Sequence, residues 1–63
     1  MTIKRVQDSA YIRGIYFDGE KKWINNMVGY GYSVYLPTGG FLQADTLQGL
    51  YNMILKYPKV SNL

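Results

Sequence analysis

The chain contains neither cysteine nor histidine, and only four acidic residues stand against seven lysines and arginines. Without cysteine there is no disulfide to brace a small fold, and with histidine also missing the usual ligands of a structural zinc are gone. The same two absences remove the common nucleophile–base pairs, since no thiol or imidazole can stand beside a serine or threonine. Long apolar runs are absent as well. Nothing approaches the length that spans a bilayer, and Met1-Thr2-Ile3-Lys4-Arg5 lacks the hydrophobic stretch of a signal peptide. The expectation is a cytoplasmic protein that is not an enzyme and uses no metal, cofactor or membrane.

What is present is aromatic. Phe, Trp and Tyr make up 16% of the chain, seven of them tyrosines, while charged residues reach only 17%. That balance is too apolar for disorder, and each tyrosine carries a polar tip that keeps its ring soluble. The 63 residues make one small domain, 1–63. A domain of this size buries only about 60% of the surface its unfolded chain exposes, so an efficient core, a partner or both are needed.

Two periodicities divide the chain. Leu47, Leu50, Tyr51, Ile54 and Leu55 fall on one helical stripe, and the spacing predicts a helix over 45–57. Asp45 is the expected N-cap with Gln48 completing a capping box, and Pro58 stops the helix. Upstream the period is two. Ala10–Phe17 is rich in β-branched and aromatic residues, and Asp18-Gly19 is a hairpin signal that would pair Phe17 with Glu20 and set Gly14 opposite Trp23. A loop at Gly29-Tyr30-Gly31 would pair Val28 with Tyr32 and begin a third strand through Leu36. Pro37-Thr38-Gly39-Gly40 turns the chain, and Phe41-Leu42 leads into the helix. The fold class expected is α+β, an antiparallel three-stranded β-meander packed on one C-terminal helix, with residues 2–6 open to adding a fourth, edge strand.

This register sorts the side chains into two faces. Tyr11, Arg13, Ile15, Phe17, Ile24, Val28, Tyr32, Val34 and Leu36 form the better core, whereas Ile12, Gly14, Tyr16, Lys21, Trp23, Asn25, Met27, Ser33 and Tyr35 share the other face. One helix covers one face. The second face is therefore expected to stand open, with Trp23 as anchor, Tyr16 and Tyr35 beside it, Met27 and Ile12 adding apolar surface and Lys21 at the rim. Large aromatics on a solvent-facing sheet can also act purely as cross-strand pairs that add stability and bind nothing.

The acids offer little chemistry. Asp18 belongs to its turn and Asp45 to its cap, and nothing in the sequence brings Asp8 and Glu20 together. Pro37-Thr38-Gly39-Gly40 shares only glycines with phosphate-cradling loops and lacks their following Gly-Lys-Ser/Thr. Arg13-Gly14-Ile15, Trp23, Tyr35-Leu36, Gly40-Phe41 and a helix with Tyr51, spanning residues 11–52, resemble the AP2-type and integrase arm-type DNA-binding domains. That resemblance implies a sheet face on DNA with Arg13 and Trp23 as contacts. With DNA or RNA as the ligand, Lys21 and Lys22 are the cations expected to matter beside them. The frame also looks like the small host-directed proteins of bacteriophages. The expected function is a binding protein, an inhibitor or adaptor that meets another protein through the aromatic face. Nucleic acid is the alternative, and the same face could mate with its own copy in a homodimer.

Overall fold

A computed structural model describes residues 1–60 as two helices and four strands: α1 (Ile3–Tyr11), β1 (Tyr16–Phe17), β2 (Lys22–Ile24), β3 (Gly29–Tyr35), β4 (Phe41–Ala44) and α2 (Leu47–Ile54). The class is α+β, with an antiparallel sheet and a C-terminal helix as the periodicities imply. The central strand is β3. It pairs with β1 (Tyr16↔Tyr35, Phe17↔Val34), with β2 (Lys22↔Gly31, Trp23↔Tyr30, Ile24↔Gly29) and with β4 (Tyr32↔Ala44 through Tyr35↔Phe41). Strands β2, β3 and β4 form a meander, and β1 lies beside Val34 and Tyr35 on the edge of β3 opposite β4.

The N-terminal segment is a helix, which corrects the edge strand expected at residues 2–6. The Thr2 side chain accepts from the Arg5 N–H at 3.2 Å and caps the first turn. Lys4 and Asp8 pair one turn apart on the exposed side, while Val6 and Ala10 are fully buried on the other. The helix stops at Gly14. With φ at +72°, Gly14 lets its own N–H reach the Tyr11 carbonyl and the Ile15 N–H reach the Ala10 carbonyl. This is the glycine-terminated Schellman arrangement. Residues 10–14 thus belong to a helix end, and Gly14 does not face Trp23 across a hairpin.

Two turns also move. Asp18-Gly19 bends the chain without joining paired strands, because the Asp18 carboxylate accepts from the Glu20 N–H at 3.0 Å and from Lys22 Nζ at 2.6 Å. Those bonds hold a wide connection, and β1 pairs with β3 rather than β2. The β2–β3 turn runs through residues 25–28, closed by Met27 N–H to the Ile24 carbonyl and Val28 N–H to Asn25. Gly29 and Gly31 are strand residues. At Gly31 the reason is close approach: a Cβ built there would lie 2.6 Å from the Ala44 carbonyl oxygen. The turn at residues 37–40 stands where expected, and Phe41–Ala44 is a strand rather than a lead into the helix. The helix itself is shorter than 45–57, and its cap is Thr46, whose Oγ1 accepts from the Gly49 N–H at 3.0 Å, instead of Asp45. Gln48 bonds Asn52 and takes no part in a capping box.

Both helices lie on one face of the sheet. Val6 and Ala10 of α1 and Leu50 and Ile54 of α2 pack with Ile15, Phe17, Val34 and Ala44 into a single core. Phe17 meets Tyr32 edge-on at 6.1 Å between ring centroids. Of the expected core, Ile15, Phe17, Ile24 and Val34 are buried and Tyr32 and Leu36 half-buried. Tyr11 and Val28 are exposed, the first because it ends α1 and the second because it sits in the turn.

Candidate binding face

The face turned away from the helices has no cover. Direct cross-strand partners share a face, so Tyr16, Tyr35 and Phe41 stand in one row across β1, β3 and β4. They are 63%, 54% and 52% exposed. Below the row, Ser33 faces Gln43 across the ladder. Ser33, Tyr35, Phe41 and Gln43 border a shallow depression of about 180 Å³. A second, of about 330 Å³, is bordered by Ser33, Tyr35 and Gln43 again, together with Lys22, Trp23, Ile24, Asn25 and Asn26. The two hollows share Ser33, Tyr35 and Gln43. Trp23 borders the second but belongs by register to the other face, because it pairs with Tyr30, which alternates with Tyr32 and Val34 of the helix side. Lys22 and Ile24 share the face of Tyr35 instead, the reverse of the expected sorting.

Trp23 is 51% exposed and yet fixed in place. Its indole N–H donates to the Asn25 side-chain oxygen at 2.8 Å, and its ring meets Tyr30 edge-on at 5.4 Å. An aromatic held in one orientation before contact loses little freedom on contact. Trp23 is neither under a helix nor roofed by residues 1–9.

The other residues marked in the sequence do not all join this surface. Ile12 is the C-cap of α1, its carbonyl accepting from the Val60 N–H, and lies outside both depressions. Met27 belongs to the β2–β3 turn, where its Cε comes within 3.0 Å of a Cβ built at Gly31. Lys21 is exposed, with Nζ 6.0 Å from the centre of the Tyr32 ring. Arg13 is engaged elsewhere: Nε donates to the Tyr57 carbonyl and Nη1 to the Ser9 carbonyl, both at 2.9 Å, tying the ends of the two helices together. Lys22 is held by Asp18. That bond keeps the Asp18 carboxyl below its ordinary range, with help from the Glu20 N–H, and raises the Lys22 ammonium above its own. Phe41 and Gln43 were not among the expected contacts. Their signal was present, since Phe41-Leu42-Gln43-Ala44 alternates after a turn.

Among the described residues there is no group of three or more acidic residues, histidines or cysteines placed to hold a metal, and no helix long and apolar enough to cross a membrane. No family model, no curated protein and no solved structure matches the chain.

Proposed function

We propose that this is a small binding protein that is not an enzyme, and that it docks another protein on the uncovered sheet face. The reading is supported by one observation above all: the exposed Tyr16–Tyr35–Phe41 row crosses the uncovered face, and Tyr35 and Phe41 flank hollows whose other walls are mainly uncharged polar groups. Cores of protein interfaces are enriched in Trp, Tyr and Phe and depleted in charge, whereas surfaces that bind nucleic acid are strongly basic. Here the cation that borders the hollows, Lys22, is bound to Asp18, and Arg13 is bound to carbonyls elsewhere. Such a protein acts by occupying its partner, as an inhibitor or an adaptor.

The test uses immobilised full chain and cell lysate, with Tyr35→Ala and a Lys21→Gln/Lys22→Gln variant in parallel. The expected result is a protein species retained by wild type, reduced more than about tenfold by Tyr35→Ala and little affected by the lysine changes. Nucleic acid as the ligand predicts the reverse order, together with a steep loss of retention as salt rises. That outcome would overturn the proposal.

A further inference from the structure

The sheet has two edges, and the chain treats them differently. The Leu36 N–H donates to the Gly40 carbonyl at 2.7 Å. Alternation along an antiparallel ladder then makes Val34–Leu42 and Tyr32–Ala44 the pairs that exchange backbone bonds. The N–H and C=O groups of Phe41 and Gln43 consequently point away from β3. Among the described residues none of these four groups has a hydrogen-bond partner within the chain. On the opposite edge the same alternation turns the Phe17 carbonyl outward, and there Gln7 Nε2 donates to it at 3.4 Å. Asp18, Glu20, Lys21 and Lys22 then load the following stretch with charge.

Proteins ordinarily blunt an exposed edge with charge, proline or a bulge. The β1–β2 edge is protected in this way, but β4, Phe41-Leu42-Gln43-Ala44, carries neither charge nor proline and pairs with β3 in unbroken register.

We infer that β4 pairs with β4 of a second copy in an antiparallel ladder across a two-fold axis. The spacing favours a copy of the same chain. With Leu42 on the axis, Phe41 of each protomer exchanges both backbone bonds with Gln43 of the second copy. All four outward groups are then satisfied on each side, with none left over. An axis perpendicular to the sheet keeps the two open faces on the same side, so the Tyr16–Tyr35–Phe41 row continues into the Gln43–Ser33 row of the second copy. Among the described residues the core cluster holds eight buried hydrophobic side chains with no disulfide to help it, and it stands to gain from such an extension. This contact uses the main chain of an edge, and it holds or fails independently of docking on the aromatic face.

The experiment is sedimentation equilibrium of the full chain with amide hydrogen exchange on the same samples. Wild type should show a monomer–dimer equilibrium in which the Phe41 and Gln43 amides become protected as the dimer fills, while the Leu42 and Ala44 amides are protected at every concentration. Gln43→Pro removes an outward donor that β3 does not use, and should weaken association at least about tenfold. Tyr16→Ser should leave association within about twofold. If Gln43→Pro loses its helical signal, a synthetic chain N-methylated at Gln43 replaces it. A monomer at millimolar concentration, unprotected Phe41 and Gln43 amides in a dimer, or a dimer broken by Tyr16→Ser but not by the Gln43 change would each overturn the inference.

Discussion

Gly31→Ala puts the packing between sheet and helix to a quantitative test. The added methyl would sit 2.6 Å from the Ala44 carbonyl oxygen, 3.0 Å from Met27 Cε and 3.2 Å from Asp45 Cα. Met27 can swing aside, but the other two atoms are backbone at the junction of β4 and α2. An ordinary carbon–oxygen contact lies at about 3.3 Å or more, so that junction must retreat by roughly 0.7 Å. Overpacking of this kind costs about 1–3 kcal/mol. Replacing a strand glycine by alanine returns about 0.5–1 kcal/mol through the unfolded chain. The net expectation is a loss of up to about 2.5 kcal/mol, centred near about 1 kcal/mol, the centre being equivalent to a fall in Tm of roughly 4–8 °C for a chain this small. Thermal unfolding followed by circular dichroism reads it directly. Gly29→Ala is the matched control, since a Cβ there meets nothing within 4 Å, and it should be neutral or slightly stabilising. A Gly31→Ala chain as stable as Gly29→Ala would refute the close approach. So would rescue by Met27→Ala, because the limiting atoms are backbone.

Three further outcomes follow from the turns. Gly14→Ala has room for its methyl, whose nearest neighbours lie at 3.5 Å or beyond, but must adopt φ +72°; it should lower stability by about 1–2 kcal/mol in urea unfolding. Val28 is a β-branched residue at φ +54° and is 78% exposed, so little packing is lost on its removal. Val28→Gly should therefore raise the urea midpoint, by up to about 1 kcal/mol of stability. Asp18 titrates below its ordinary value in the folded chain. As pH falls, the unfolded carboxyl protonates first, so the stability contributed by the Lys22 and Glu20 bonds is present above the ordinary aspartate pKa and lost through the lower, folded one. Asp18→Asn should remove that acid limb from a plot of urea midpoint against pH, and an unchanged limb would show that Asp18 is not its source.

The sequence carried the α+β class, the C-terminal helix, the turn at 37–40 and the buried set Ile15, Phe17, Ile24 and Val34, because long periodic stripes and paired glycines are strong local signals. It hid α1. The buried stripe of that helix is only Val6 and Ala10, too little to announce a helix, and its neighbours Lys4, Arg5 and Asp8 are charged. Gly14, Gly29 and Gly31 misled for a shared reason. A glycine marks a constraint without naming it, and here one ends a helix while Gly31 admits a neighbouring backbone. The candidate face was legible in Tyr16 and Tyr35, since tyrosine resists full burial in a small chain, whereas the shifted β2 register turns Trp23 to the other face. Phe41 escaped notice because β4 was read as part of the approach to α2. The displacement of Ile12 and Met27 from that face follows from the altered turns.

The central claim is that two helices cover one side of the sheet and leave Trp23 outside the core. It is tested most directly by measuring the unfolding free energy of Trp23→Ala beside Leu50→Ala. Loss of the Tyr30 edge contact and the exposed bond to Asn25 predicts about 1–2 kcal/mol for Trp23→Ala, with the helical signal intact. Leu50 is fully buried, and its truncation should cost about 2–5 kcal/mol. A Trp23→Ala chain that unfolds, or loses as much as Leu50→Ala, would place the indole in the core and contradict the claim.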